Sequence, residues 1–269
     1  MKDSLGDRQK EYEKVETSRL LIPRLPIVVR IDGRAFHSFA RGLTRPFDER
    51  LTQLMIETTK FLVHETNARI GYTQSDEISL ILFGEGLDSE TFFNRRTFKL
   101  TSMLASMATG YFNSIKPHFL PEKADKLAFF DCLVWNVSSK EEAVNYLIWR
   151  EWDATKNSVS MAAQSKFSHK KLQNKNAGQM QEMLFQEFGI NWNDYPAFFK
   201  RGTYVQRKIV TKKLSIEEID KLPAKHAARK DPNLEVLRGV VEVIEVPRLA
   251  SVKNRVEMVF DGENPRKDE

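Results

Sequence analysis

The chain has 269 residues, 41% of them hydrophobic, and its 42 basic and 37 acidic residues give a formal net charge of +5. This length and composition suit one large domain or a domain with an appendage, and the small basic excess is compatible with a polyanionic partner. The single cysteine excludes an internal disulfide and a zinc site built from several cysteines, and the sequence has neither a signal-peptide core nor a run of roughly 18 apolar residues, so we expect a cytoplasmic protein without membrane spans.

The first half of the chain alternates between strand and helix patterns. Short β-branched or apolar runs between turn residues indicate strands, whereas apolar residues at helical spacing indicate helices. In chain order, the predicted elements are a strand at 27–32, a helix from Asp48 to about residue 65, a hairpin of strands at 69–74 and 77–83, a helix at 92–115, a strand at 128–137 and a helix after the capping residue Ser139. This order predicts an α+β fold whose core is a ferredoxin-type βαββαβ unit, an antiparallel sheet with helices on one face.

The second half has a different character. A polar stretch rich in lysine comes first, followed by a predicted helix at 176–188 and predicted strands at 203–210 and 239–246. We therefore expect residues 1–137 to form the core with an N-terminal arm. Residues 138–269 are expected to form a helical and β extension that packs on this core.

The topology brings two acidic turns together. Asp32 ends the first strand and Asp76 lies in the hairpin turn, and the first and third strands are neighbours in a ferredoxin-type sheet, so we expect the two aspartates side by side. Glu77 adds a third carboxylate, and the local sequence offers no paired arginine, so this cluster needs a cation or solvent. The five histidines show no His-Glu-x-x-His spacing, and carboxylates at adjacent strand ends suit a pair of magnesium ions. Taken singly, an Asp-Gly dipeptide and an acidic hairpin tip are common in ordinary solvated turns.

Glycine and basic residues near this edge suit phosphate groups. Gly33 removes a side chain from the loop after the first strand, so backbone amides there can approach a triphosphate, and His37 lies in the same loop. Arg96 and Lys99 share one face of a predicted helix, and Arg45 precedes another. By charge alone, these basic side chains are equally compatible with a solvated surface.

Two tryptophans in the second half flank an arginine. Trp149 and Trp152 have side chains that could stack on nucleic-acid bases. Core packing or a subunit interface is the more common role of such residues, and we favour it here.

The segments 28–39, 72–77 and 95–99 together resemble the tRNA(His) guanylyltransferase family, and the similarity runs from about residue 26 to at least Lys208. The resemblance implies a catalytic core similar to the palm of polymerases, which adds nucleotides to the 5′ end of tRNA in the 3′ to 5′ direction. It further implies a nucleotidyltransferase that uses ATP and GTP, acts on tRNA and forms a homotetramer.

The resemblance also implies roles for individual residues. Asp32, Asp76 and Glu77 would be catalytic, with two Mg²⁺ ions held by Asp32, the Gly33 carbonyl and Asp76. The 5′-monophosphate of the RNA would be activated by ATP or GTP and then attacked by the 3′-hydroxyl of an incoming nucleotide. The residues expected to bind nucleotides are Gly33, Arg34, Ala35, Phe36, His37, Arg45, Asp48, Ser75, Arg96 and Lys99. The extension is expected to bind tRNA through Lys156, Asn157, Lys166, Lys170, Lys200 and Arg201.

One departure from the family pattern bears on the substrate. Eukaryotic members that add an untemplated guanosine carry His-Ile-Asn-Asn-Leu-Tyr after a Trp-Arg pair, whereas residues 155–160 here read Thr-Lys-Asn-Ser-Val-Ser. The segment 153–202 is instead similar to the bacterial-type guanylyltransferase-like branch, which favours template-dependent restoration of 5′-truncated tRNAs. We therefore expect 5′-end repair, with addition of a single guanosine to tRNA(His) as the alternative. A palm-fold nucleotide cyclase and a non-catalytic tRNA-binding protein are the alternatives from other classes.

Overall fold

One antiparallel sheet of six strands runs through both halves of the chain. The computed structural model describes residues 3–84, 92–231 and 233–266. The strands are β1 (Ile27–Gly33), β2 (Ile70–Gln74), β3 (Glu77–Leu82), β4 (Phe130–Asn136), β5 (Thr203–Lys213) and β6 (Glu235–Ile244). Their order in the sheet is β4-β1-β3-β2-β5-β6.

Helices cover both faces of this sheet. They are α1 (Ser4–Thr17), α2 (Phe36–Phe39), α3 (Glu49–Thr66), α4 (Thr97–Phe119), α5 (Lys140–Gln164), α6 (His169–Leu172), α7 (Ala177–Phe188), α8 (Ala197–Arg201), α9 (Ile216–Asp220), α10 (Ala227–Lys230) and α11 (Arg255–Asp261). Short 3-10 helices lie at Pro121–Lys123, Trp192–Asp194 and Leu249–Ser251, and Phe92–Arg95 forms a turn in which Phe93, Asn94 and Arg95 have positive φ. Over the described ranges, no helix is both long and apolar enough to cross a membrane.

The predicted α+β core is confirmed. Strands β4, β1, β3 and β2 are adjacent in that order and antiparallel, as in a ferredoxin-type unit. The larger differences from prediction lie in the extension, where α5 continues into the lysine-rich stretch as far as Gln164 and both strands are longer. The boundary predicted between residues 137 and 138 falls between β4 and α5. Because β5 pairs with β2, strands from both sides of that boundary share one sheet.

Alternate residues of β1 supply the two faces of the sheet. Val29 belongs to a buried cluster with Leu54 of α3 and Leu104 of α4. Val28 points the other way and belongs to a cluster with Leu147 of α5 and further side chains of α11. Burying one such aliphatic side chain contributes about 1.5–3 kcal/mol, so both layers of helices stabilise the sheet. The second layer brings α5 under the end of the sheet where Asp32 lies.

A smaller core fixes the far end of α5. Val159 packs with Leu184 of α7, Trp192 and Phe199 of α8. Phe47, in the loop before α3, joins this group, with its ring centroid 4.7 Å from that of Phe199. The last turns of α5 and the loop before α3 are therefore held close to each other.

Candidate active site

Three acidic residues form a row across one end of the sheet. Asp32 of β1 is paired in register with Glu77 of β3 on one side and with Asp131 of β4 on the other. Cross-strand partners share a face, and here it is the face covered by α5. Asp76 lies beside this row in the hairpin turn, where its carbonyl oxygen accepts the Gly33 N–H at 3.1 Å. The structure thus brings the two predicted acidic turns together and adds Asp131, which the sequence analysis missed.

The two aspartates at this edge both have raised pKa values. Burial, and then the charge of Asp32, raise the pKa of Asp76, although Ser75 Oγ donates to its Oδ1 at 3.0 Å. Burial, and then the charge of Asp131, raise the pKa of Asp32, while the charges of Arg30 and Arg150 act in the opposite direction. Throughout the part of the chain that the structure describes, no lysine or arginine forms an ion pair with either aspartate. A bound cation would favour the ionised form of both.

Glu77 has a different environment. Its Oε1 accepts Arg150 Nε and its Oε2 accepts Arg150 Nη2, each at 2.7 Å. Burial raises the pKa of Glu77, and the charge of Arg150 acts in the opposite direction. The expectation that all three carboxylates need a cation or solvent is therefore wrong for Glu77. The reason is tertiary, because α5 delivers Arg150 from 73 positions away.

A cleft of about 490 Å³ opens beside Asp76. One wall is the loop after β1, where Ala35 has a φ of 51° and a Cβ added at Gly33 would overlap the Phe36 ring, so the loop requires glycine there. The cleft is lined by Gly33, Ala35, Phe36, His37, Ala40, Leu43, Thr44, Arg45, Pro46, Phe47, Asp48, Leu51, Ser75, Asp76, Met161, Gln164 and Ser165.

Most of the predicted nucleotide-binding residues lie in this cleft. They are Gly33, Ala35, Phe36, His37, Arg45, Asp48 and Ser75, whereas Arg34 is exposed outside it. Met161, Gln164 and Ser165 form the opposite wall and were not predicted. Their position depends on α5 running on past residue 155, and only a continuous helical pattern there could have indicated it.

Asp48 is held mainly by the protein itself. Its Oδ1 accepts the Arg50 backbone N–H at 3.0 Å, and its Oδ2 accepts Arg50 Nη2 at 2.9 Å and the Thr44 N–H at 3.2 Å. These hydrogen bonds, led by the Arg50 side chain, lower the pKa of Asp48 to about 2. Asp48 therefore caps α3 and fixes the loop that carries Arg45.

Arg96 and Lys99 lie at the other end of the sheet. β3 runs away from the end of the sheet that carries Asp32 and Asp76, and α4 begins at the end where β3 finishes. Arg96 forms a bridge with Leu20 there. The seven residues of β1 span about 20 Å, which is the separation of the two ends. Within one chain, the structure does not bring these two basic residues to the cleft, contrary to the role expected for them.

The residues expected to bind tRNA are spread over the helical extension. Lys156 and Asn157 are exposed on α5, and Lys166 and Lys170 are exposed beyond its end. The other two belong to α8, namely Lys200 and Arg201. Lys200 donates to the Asn193 carbonyl and lies 5.6 Å from the Trp192 ring centroid, so it also holds the local fold.

The two tryptophans that flank Arg150 are not core residues. Trp149 is 49% exposed and Trp152 is 57% exposed. Core packing, one of the two roles favoured from the sequence, is therefore wrong for both. Trp149 instead packs at the surface, with its ring centroid 4.6 Å from the guanidinium carbon of Arg150. Base stacking and a subunit contact stay predictions for both.

Comparison with known proteins matches both halves of the chain. The family model for tRNAHis guanylyltransferase matches residues 6–138, and the model for the Thg1 C terminal domain matches residues 141–245. The tRNA(His) guanylyltransferase of Saccharomyces cerevisiae is 33% identical over 210 residues, covering 72% of this chain and 87% of that protein.

Two solved structures are also similar. A bacterial tRNA(His) guanylyltransferase (Thg1)-like protein in complex with ATP has a TM-score of 0.72 and 41% identity, covering 76% of this chain and 88% of that one. A bacterial Thg1-like protein in complex with GTP has a TM-score of 0.72 and 33% identity, covering 92% of this chain and 94% of that one. The likeness thus extends over most of each molecule.

The palm-like fold, the carboxylate edge and these matches define a nucleotidyltransferase. The chain belongs to the tRNA(His) guanylyltransferase family. This membership confirms the family resemblance and the class of enzyme predicted from the sequence.

Proposed function

We propose that this enzyme adds nucleotides to the 5′ end of tRNA in the 3′ to 5′ direction and copies a template to restore truncated 5′ ends. The observation that carries the proposal is the junction of the Asp32 and Asp76 edge with the 490 Å³ cleft. Carboxylates without a cationic partner lie beside a cleft whose loop amides and His37 suit phosphate groups. The ATP and GTP complexes of the similar bacterial proteins support nucleotides as substrates of this chain.

Magnesium fits the donors at this edge. Among the residues with described positions, no three His, Cys, Asp or Glu side chains are arranged to enclose a metal ion by themselves. Mg²⁺ usually binds through one or two carboxylates together with substrate phosphates, so a fully protein-built cage is not required. Asp32, Asp76 and the Gly33 carbonyl would supply the protein ligands for two ions. When bound, these ions would neutralise the triphosphate and activate the attacking oxygen.

The proposed reaction has two steps. First, a 5′-phosphate oxygen of the RNA attacks the α-phosphorus of ATP or GTP, the bond to the β-phosphate breaks, and pyrophosphate leaves. Second, the 3′-hydroxyl of the incoming nucleotide loses its proton to solvent and attacks the 5′-phosphorus of the RNA, and the nucleoside monophosphate leaves. The loop amides after Gly33 and the His37 side chain would hold phosphates. Met161 and Gln164 would form the opposite wall, against which a base would lie.

Template-dependent repair is favoured over the addition of one guanosine to tRNA(His). Thr155 occupies the position of the histidine found in members that add an untemplated guanosine. The tRNA would lie along the exposed polar side of the extension that carries Lys156, Asn157 and Lys170. From the family, we further propose a homotetramer.

The test offers the protein 5′-truncated and full-length tRNAs with labelled nucleotides and Mg²⁺. Asp32→Ala and Asp76→Ala should each lower addition by at least about 100-fold, because each removes a metal ligand, while tRNA affinity stays within about twofold. Asp220→Ala, an exposed carboxylate on α9, is the control and should keep wild-type activity.

The products separate the candidate functions. Addition that stops when the acceptor stem is complete supports repair, and addition to full-length tRNA(His) alone supports the guanosine alternative. Formation of a cyclic nucleotide without RNA would support a cyclase. Wild-type addition by either alanine variant would contradict the two-metal proposal.

A further inference from the structure

We infer that Arg150 is a positioning residue, which holds the Glu77 carboxylate in one orientation and so keeps the turn that carries Asp76 aligned with the cleft. This inference rests on the function proposed for the same edge. Arg150 Nε and Nη2 donate to the two oxygens of Glu77, each at 2.7 Å. A contact at two points between planar groups fixes rotation as well as distance, which one hydrogen bond does not.

The pair joins two parts of the site that are distant in sequence. Glu77 directly follows Asp76, whereas Arg150 lies near the middle of α5. The same helix supplies Met161 and Gln164 to the cleft, and Met161 lies about 17 Å from Arg150 along the helix axis. One ion pair therefore sets how the hairpin turn and the wall formed by α5 face each other.

Arg150 is itself held from several sides. Its Nη2 lies 3.2 Å from Asp153 Oδ2, and its guanidinium carbon lies 4.6 Å from the Trp149 ring centroid. Only 13% of its side chain is exposed. Beside the pair, Tyr146 and Ser79 share a buried hydrogen bond of 2.9 Å. A lysine would keep the charge but lose the planar fork and the stacking.

Glu77 needs this partner because of its neighbours. It lies opposite Asp32, which lies opposite Asp131, so an unpaired Glu77 would be a third like charge in the row. With both oxygens bound by Arg150, Glu77 leaves Asp32, Asp76 and the neighbouring Asp131 as the carboxylates of this edge available to a cation. Loss of Arg150 would leave a largely buried, uncompensated carboxylate free to turn away from its present orientation.

The test uses the full-length chain with Arg150→Lys and Arg150→Gln, and Arg69→Lys as the matched control. Arg69 also joins separate elements, since it donates to the carbonyls of Phe83 and Phe260, but it lies at the other end of the sheet. Both Arg150 variants should lower kcat for addition to a 5′-truncated tRNA by about 10- to 100-fold, with KM for the nucleotide changed by about twofold or less. Arg69→Lys should lower the melting temperature and leave both constants at wild-type values.

A second measurement does not depend on the tRNA reaction. Binding of Mn²⁺ in the presence of ATP, followed by electron paramagnetic resonance, should weaken about tenfold in Arg150→Lys and stay unchanged in Arg69→Lys. Glu77→Gln should add little further loss of Mn²⁺ affinity to Arg150→Gln, because the two residues act as one unit.

The outcomes separate this inference from the proposed function. Wild-type kcat and Mn²⁺ affinity in Arg150→Lys would overturn the positioning role, as would full additivity of the two glutamine substitutions. If the wild-type protein adds no nucleotide to any tRNA while the Mn²⁺ results hold, the proposed function fails and the positioning role stands.

Discussion

At the scale of single residues, the surroundings move the pKa values of three aspartates in different directions. Asp32 and Asp76 have no ion-paired arginine or lysine in the described structure, so burial and their acidic neighbours raise their pKa values. Asp48 instead accepts hydrogen bonds from Arg50, which lower its pKa to about 2. In the absence of a bound cation, ionised Asp32 and Asp76 therefore destabilise the fold, whereas ionised Asp48 stabilises it.

Substitutions by asparagine should consequently have opposite effects on stability. Asp76→Asn should raise the melting temperature in chelator at neutral pH. In the wild type, the folded-state pKa of Asp76 exceeds its unfolded-state value. The gain in stability on substitution therefore grows as pH rises through these two values and vanishes below both. Asp48→Asn should lower the free energy of unfolding by about 1–2 kcal/mol at neutral pH, a loss that fades as pH falls toward the folded-state pKa of about 2.

Thermal melts of both variants and the wild type across acid and neutral pH test this pair of predictions. Equal signs for the two variants at neutral pH would contradict the assignment of the charges. Added Mg²⁺ with ATP should then stabilise the wild type more than Asp76→Asn, because the variant lacks a carboxylate that we propose as a ligand of the cation.

At the scale of elements, the loop before α3 is a wall of the cleft that is anchored on the extension. The Phe47 ring centroid lies 4.7 Å from that of Phe199 and 5.2 Å from that of Phe198, both on α8. Phe47→Ala should weaken ATP binding about three- to tenfold, because the loop with Arg45 loses this anchor, and lower the free energy of unfolding by about 1–3 kcal/mol. Fluorescence titration and urea unfolding measure these effects, with Phe47→Leu as the milder control. Unchanged ATP affinity in folded Phe47→Ala would contradict the anchoring role.

The order of the strands and the placement of the helices explain how much of the site could be predicted from the sequence. The closeness of Asp32 and Asp76 follows from strand order, which local patterns indicate. The same order places Arg96 at the other end, because α4 starts where β3 finishes, and the family resemblance assigned its role without this geometry. The contact between Arg150 and Glu77 depends on which face α5 covers. Packing between segments that are distant in the sequence decides this face, and no local sequence pattern indicates it.

At the scale of the whole molecule, the two regions matched by separate family models share one sheet and its cores. β5 extends the sheet by pairing with β2, and α5 covers the face that holds Val28 and Ile70. Trp135 of β4 packs on Tyr146 of α5, with ring centroids 5.4 Å apart. Without residues 138–269, the apolar residues of this face would be exposed to water, at a cost of about 25 cal/mol for each Å².

We therefore expect the full chain to unfold in urea in one cooperative transition, and residues 1–137 alone to remain unfolded or to aggregate. Variants that keep only Trp135 or only Trp192 report the core and the extension separately, and both fluorescence curves should coincide with the loss of far-UV ellipticity. Because α5 packs on the core sheet and also carries the smaller core around Trp192, we expect the packing of both parts to be lost together. An earlier transition seen by Trp192 and not by Trp135 would contradict this, and would mean that the extension folds and unfolds as a separate unit.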